Sequence, residues 1–294
     1  MAAGDSLRDI RRRIKSIQNT QQITRAMKMV AAAKLRRAQG SAEAARPYAQ
    51  ALRGIVGRLA SRNGGFSHPL LRRTGGSKRV GYLVITADRG LCGAYNANVL
   101  RRAAVELARE GKEVVVVAVG RKGKEFFARR HVPVLAQFVR LGDDPRYELA
   151  QSITAEVERL FSAGEFAELK LVYTRFLSAM QHKVEVVRLL PLHGGELEEK
   201  GRGAASWDYI YEPTAAAVLG PLLARYVAGT VFGALLEAKA SEQGARMVAM
   251  DSASKNAEKM IKLLTLRRNK ARQAAITGEL AELVGGAEAL SEAQ

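Results

Sequence analysis

From Leu7 onward, apolar residues recur at alternating steps of three and four. The series runs Leu7, Ile10, Ile14, Ile17, Gln21, Thr24, Lys28, Ala31, Leu35, Ala38, Ala42, Ala45, Ala49, Leu52, Val56 and Leu59. Only Gln21, Thr24 and Lys28 interrupt it with clearly polar side chains. A repeat of 3.5 residues sustained this long predicts a helix that needs a partner helix to bury its stripe. Pro47 is expected to kink it, because its ring removes one backbone hydrogen bond and crowds the preceding turn. The far end of the chain carries the same pattern in Leu236, Ala240, Gln243, Met247, Met250, Ser254, Ala257, Ile261 and Leu264. No proline follows Pro221, so one helix is expected from about residue 214 to about 284, on the order of 100 Å long at 1.5 Å per residue. Small residues on its seam, Gly244 among them, would let a second helix come close. The first helix enters the middle of the chain at its C-terminal end and the last leaves it at its N-terminal end, so pairing them makes an antiparallel coiled coil. The last helix is the longer. Its end, ITGELAELVGGAEAL, would project alone, and the apolar Ile276, Leu280, Leu283, Val284 and Leu290 there read either as a binding surface or as a frayed terminus.

Between these helices the period changes. Candidate strands are Arg79–Ile85, Glu113–Val119, Pro133–Phe138, Leu169–Thr174 and Val184–Leu190. Candidate helices are Ala94–Arg109, Lys122–Arg130 and Arg146–Ser162. Such alternation predicts a Rossmann-like α/β domain with a mostly parallel sheet. The fold class is therefore α/β, a long antiparallel coiled coil of the two chain ends on a central Rossmann-like domain. The boundaries are 1–62 for the first helix, 63–213 for the α/β domain and 214–294 for the last helix with its projecting tip.

The first strand runs into TADRGLCGAYNAN, residues 86–98, a strand, glycine turn and helix of the kind that holds phosphate in many folds. A dinucleotide site wants GxGxxG and a Walker loop wants GxxxxGK[ST]. Here Gly90 and Gly93 are three apart, no Lys-Ser/Thr pair follows, and Asp88 would repel a nearby phosphate. The turn is read as structural, formed by Asp88, Arg89, Gly90 and Gly93, with Asp88 and Arg89 as contact or capping residues. Cys92 at a helix start reads either as an activated thiol or as a buried one. None of His68, His131, His182 and His193 lies near it in sequence, and no histidine has metal-ligand spacing. No catalytic constellation, cofactor site or metal site is expected.

Charge changes the picture of partners. The net charge is +18, and residues 1–62 hold 14 Lys and Arg against 3 Asp and Glu. Residues 214–294 are almost balanced, at 10 against 8. Such an excess implies an acidic partner. One reading is a basic coiled-coil protein that binds nucleic acid. Against it, the arginines share a helix with a long buried seam, and no aromatic stacking residues are interleaved. A second is a small-molecule enzyme on the Rossmann-like domain, which needs an open crevice at the strand ends. The single cysteine excludes an internal disulfide and fits a reducing compartment. No apolar run approaches the roughly 18 residues of a membrane span. The N-terminus is Arg-rich like a transit peptide, but Asp5 and Asp9 argue against one. A cytoplasmic, bacterial-type protein is expected.

Three stretches, IKSIQNTQQITRAMKMVAAAKLRRAQ, TADRGLCGAYN and SEQGARMVAMDSASKNAEKMI with NKARQAAITGELAELVGGAEAL, resemble the gamma subunit of F-type ATP synthase, in the same order along the chain. The resemblance implies a central rotor shaft and a non-catalytic subunit with no cofactor of its own. Its implied partners are three alpha and three beta subunits, an epsilon subunit and the ring of c subunits. It implies a peripheral place on the cytoplasmic side of the bacterial inner (plasma) membrane. Met27 and Lys28 match a pair facing an acidic loop of beta, Lys28 standing where the family commonly has an acidic or variable residue. Arg246, Gln273 and Thr277 match positions where the last helix meets alpha and beta, and Ile276, Leu280 and Leu283 match the tip in its collar. The cysteine-pair insert of chloroplast members is missing, so no thiol switch is expected. The polar group Gln21, Thr24 and Lys28 would fix register at some cost in stability, so replacing Gln21 and Thr24 by Leu should strengthen the pair and harm coupling.

Overall fold

The computed structural model describes residues 6–62, 68–71, 78–192 and 215–292. The elements are α1 (Leu7–Arg62), a short 3-10 turn (Pro69–Leu71), β1 (Val80–Ile85), α2 (Tyr95–Arg109), β2 (Val114–Val119), α3 (Arg121–Arg129), β3 (Val134–Phe138), α4 (Tyr147–Ser162), β4 (Glu168–Phe176), β5 (His182–Leu190) and α5 (Ala215–Glu292). They fall into two compact units, one of residues 1–30 with 247–294 and one of residues 31–246.

In the larger unit the five strands lie in the order β3-β2-β1-β4-β5. The first four run parallel, and β5 runs antiparallel to β4. The reversal has a local cause. Only residues 177–181 separate β4 from β5, too few for the crossover a parallel neighbour needs. Ser178 closes the turn, its Oγ accepting the backbone N–H groups of Met180 (3.3 Å) and Gln181 (3.0 Å). The central strand β1 is buried at all six positions, as expected when helices cover both faces. One face packs against Val99, Leu100 and Ala103 of α2 and Phe127 of α3. The other packs against Ile153, Val157 and Phe161 of α4, Leu52 and Val56 of α1, and Leu223, Val227, Val231 and Leu235 of α5. By length and composition α5 could cross a membrane, contrary to the sequence expectation, but these buried leucines and valines make it a core helix of the α/β unit.

The seam read from the heptad is largely the buried stripe. In the larger unit Ala31, Leu35, Ala38, Leu52 and Val56 of α1 are buried, as are Leu236, Ala240 and Gln243 of α5. In the smaller unit Ile10, Ile14 and Thr24 are buried, with Met250, Ser254 and Ala257 of α5. Lys28 is the exception and stands exposed. The side chains of Leu59 and Leu290, and all of His193, lie outside the described residues. Within each unit the two helices run antiparallel. Thr24 meets Ser254 and Lys28 meets Asp251 in the smaller unit, while in the larger Leu52 packs beside Gly229 and Arg46 lies near Glu237. Ser6 starts α1 by accepting the backbone N–H of Asp9 at 3.2 Å and donating to its carboxylate at 2.7 Å, a reciprocal cap. Pro47 does not end the helix, which continues through it to Arg62. An interior proline costs about 3 kcal/mol, and burial of Leu52 and Val56 beyond it is worth about 1.5–3 kcal/mol each.

Candidate partner-contact surfaces

The sheet reverses its winding between β1 and β4, and the crevice beyond the strand ends there is where doubly wound folds bind ligands. Here α5 lies across it. Ser241 Oγ donates to the carbonyl of Thr174 at the end of β4 (3.3 Å). Ala245 packs on Ala87, Cys92 and Tyr95. The close approach depends on Gly244, where an added Cβ would stand 3.1 Å from His182 Cε1 and 3.2 Å from the carbonyl oxygen of Ala179.

The turn between β1 and α2 is held from several sides. Asp88 accepts the backbone N–H of Arg121 at the start of α3 (3.0 Å) and that of Leu141 (2.8 Å). Its carboxylate oxygens are thus both engaged inside the fold. Asn96 reaches back from α2, accepting the N–H of Ala87 at 2.9 Å and donating to the carbonyl of Arg89 at 3.3 Å. Gly93 adopts φ +57°, and the carbonyl of Gly90 accepts from Arg246 at 3.2 Å. Cys92 is buried, and burial pushes its thiol up against the smaller opposing pull of Arg246, so the activated-thiol alternative loses its basis. Among the described residues no group of three or more His, Cys, Asp or Glu could hold a metal ion.

Arg246 does not stand out into solvent. Its guanidinium donates to Glu242 at 2.7 Å as well as to Gly90, and its side chain is 12% exposed. Lys239 approaches the same carboxylate at 3.5 Å and donates to the carbonyl of Gly142 at 3.0 Å. Arg246, Glu242 and Lys239 therefore form one inward-facing cluster that ties α5 to two loops of the α/β unit.

In the smaller unit Met27 is half-buried, and Lys28 pairs with Asp251 at 2.6 Å. Lys255 holds the other oxygen of Asp251 at 2.8 Å. Hydrogen bonds from Lys255 and Lys28 hold the Asp251 carboxyl down at about 2. One helical turn away in the seam, the hydroxyls of Thr24 and Ser254 share a buried hydrogen bond of 2.7 Å.

Every described residue from 272 to 287 is exposed, Gln273 and Thr277 included. Ile276 is 49% exposed, Leu280 57%, Leu283 71% and Val284 63%. Other exposed apolar side chains on the smaller unit escaped the sequence reading. They are Ile23, Met29 and Val30 on α1 and Met260, Leu263 and Leu266 on α5. They fall between the seam steps, and apolar residues off the stripe of an otherwise polar helix were the signal for them.

The sequence matches the ATP synthase family over residues 6–290. It is 53% identical over 285 residues to the ATP synthase gamma chain of Desulforamulus reducens, covering 97% of this chain and 99% of the relative. It is 51% identical to that of Moorella thermoacetica, with the same coverage. The chain belongs to the ATP synthase gamma chain family. Among solved structures, a chain of the Tetrahymena thermophila mitochondrial ATP synthase central stalk and c-ring superposes with a TM-score of 0.61 at 26% identity, covering 79% of this chain and 99% of that one. A chain from the Euglena gracilis mitochondrial ATP synthase shares the fold, with a TM-score of 0.67 at 21% identity over 98% of this chain and 95% of that one. The function is accordingly that of a gamma subunit, the rotor of an ATP synthase. The comparisons give no support to the nucleic-acid-binding alternative.

Proposed function

We propose that this gamma subunit is the central shaft that couples rotation of a c ring to cycling of three catalytic beta subunits, with alpha, beta and epsilon subunits and the c ring as its partners. It makes and splits no ATP itself. Its place is peripheral, on the cytoplasmic side of the bacterial inner (plasma) membrane. It acts in three parts, a first helix of residues 1–62, an α/β domain of 63–213 and a last helix of 214–294.

The observation that carries the reading is the run of exposed residues from 272 to 287, where α5 presents Ile276, Leu280 and Leu283 to its surroundings. A slim apolar tip turns in an apolar collar with little resistance, because dispersion contacts are non-directional and no hydrogen bond must break at each step. Gln273 and Thr277, exposed on the same stretch, supply the polar contacts to alpha and beta. Met27 and the basic face of α1 around Lys28 meet acidic loops of beta, where charge attraction sets register. A shaft drives a site through different states only if it contacts each state differently. One charged, uneven side provides that difference. The absence of catalysis is supported by α5 lying across the crevice that a ligand would need.

The test is reconstitution. The purified chain mixed with alpha and beta subunits should elute with them in gel filtration, one copy per three alpha-beta pairs, and ATP hydrolysis should depend on it. Removing the tail from Ile276 onward should weaken that activity. A chain that elutes alone and leaves hydrolysis unchanged overturns the proposal, and a salt-dependent shift of generic DNA would revive the nucleic-acid reading.

A further inference from the structure

In the larger unit α1, α5 and the start of α4 border a half-open cleft of about 450 Å³. Small-molecule sites span roughly 300–1,000 Å³. Small residues make the room, Ala45 and Ala49 on α1 and Gly229 and Gly233 on α5. A Cβ added at Gly229 would stand 3.8 Å from Leu52 Cδ2, whereas one added at Gly233 would meet nothing within 4 Å. The open space therefore lies at Gly233. The rings of Tyr48, Tyr147 and Phe232 complete a mostly carbon wall. Tyr147 and Phe232 meet edge to face, their centroids 5.5 Å apart.

The polar side chains of this lining are few, and most are donors. Arg46 forms no ion pair and no hydrogen bond among the described residues, and neither does the hydroxyl of Tyr48 or Tyr147. Tyr48 and Arg225 both lie within electrostatic reach of the Tyr147 hydroxyl, so a second guanidinium stands nearby. Glu237 is the one carboxyl in the lining. Its Oε2 is inaccessible and so does not face the cleft. Burial pushes its carboxyl up, against smaller downward pulls from Arg175 and Arg46. The charge that the cleft presents is therefore that of Arg46. A cation would be repelled by it, and a neutral ring would leave it unmatched. A guanidinium holds a carboxylate through two parallel N–H···O bonds, stronger than neutral hydrogen bonds. An apolar cleft with a few convergent donors thus complements a ligand made of an apolar ring and one carboxylate.

We propose that this cleft binds a small aromatic monocarboxylate, its ring over Gly233 among Tyr48, Tyr147 and Phe232 and its carboxylate on Arg46. Phenylacetate is the probe, titrated calorimetrically into the full chain at physiological salt, which screens loose attraction to a net charge of +18. Saturable one-to-one binding is expected. Arg46→Gln should weaken it about tenfold, the equivalent of 1.4 kcal/mol. Phenylacetamide, the uncharged analogue, should bind the parent chain about tenfold more weakly than phenylacetate. Gly233→Leu puts a side chain into the open space and should abolish binding. No saturation by roughly 20 mM, near the weak limit of specific association, overturns the proposal. So does unchanged affinity in Arg46→Gln, phenylacetamide binding as tightly, or unchanged binding in a Gly233→Leu chain whose circular dichroism matches the parent. Arg46 is exposed, so its substitution should leave the fold intact. If Gly233→Leu does not fold, Arg46→Gln and phenylacetamide decide, and undiminished affinity in either overturns the proposal.

Discussion

Gly120 sits at φ +91°, and a Cβ built there would stand 2.2 Å from the carbonyl oxygen of Thr86. Both the dihedral and the contact exclude a side chain. Thr86 is itself committed, since its Oγ1 donates to the carbonyl of Val119 at 3.0 Å and accepts the N–H of Gly123 at 2.9 Å. The end of β1 therefore cannot move aside without breaking the start of α3. Gly120→Ala should lower the unfolding free energy by roughly 3 kcal/mol or more, read from the urea midpoint. Asp251 offers a prediction of a different kind. Its carboxyl is held at about 2 by Lys255 and Lys28, below the ordinary carboxylate value of about 3.9. A depressed carboxylate adds stability that is present above the ordinary value and is lost as pH falls through about 2. In a chain labelled at the aspartate carboxyls, the Asp251 resonance should titrate near 2, and Lys255→Met or Lys28→Met should each move it upward. A midpoint near 4 with both lysines in place would show that neither pair forms in solution.

The helix seam shows what a sequence pattern specifies and where it stops. Steps of three and four select a stripe because a helix repeats every 3.6 residues, and the stripe so selected is buried or half-buried from Ile10 to Val56 wherever it is apolar. Polar seam positions are less legible, because the pattern names one partner and not the other. Thr24 is buried against Ser254, while Lys28 turns outward to Asp251. The expectation that Leu at positions 21 and 24 would simply strengthen the pair therefore changes. Thr24→Val strands the Ser254 hydroxyl in the seam and should destabilise by roughly 1–2 kcal/mol, whereas Ser254→Ala should cost less, because Thr24 Oγ1 keeps its hydrogen bond to the Gln21 carbonyl at 3.0 Å. The double variant should cost less than the two together, by about 1 kcal/mol in a double-mutant cycle of thermal or urea unfolding. Additive costs would mean that the 2.7 Å contact contributes nothing. The strands were legible as apolar runs, but the direction of β5 was not. Strand residues alone carry no direction, and the short hairpin of residues 177–181 that fixes it is a property of the connection. Least legible was the crevice. Its contents come from Thr174, Ala87 and Ser241–Arg246, segments whose meeting no local period encodes.

α5 passes from the larger compact unit to the smaller between Arg246 and Met247, so a torque carried along it crosses at Arg246. The resemblance that singles out this arginine implies a contact with alpha or beta. Its guanidinium is instead spent on Glu242 and on the carbonyl of Gly90, with little surface left to offer. These bonds fasten α5 to the β1–α2 turn just where it leaves the α/β unit, so its first role is that of an internal strap. Arg246→Ala should lower stability by roughly 1–3 kcal/mol, because it leaves the Glu242 carboxylate largely buried with Lys239 as its remaining cation. In reconstituted membranes the same variant should hydrolyse ATP while pumping fewer protons per ATP, since a loosened root lets the shaft twist without driving the base. Adding Glu242→Gln removes the under-compensated charge and leaves the space and the lost Gly90 contact unchanged. Thermal unfolding and proton pumping, measured together on the single and double variants, separate the two roles. An internal strap predicts that the double variant recovers stability but not coupling, because the tie from α5 to the Gly90 carbonyl stays broken. Coupling that returns together with stability would instead show that the Gly90 tie carries no torque.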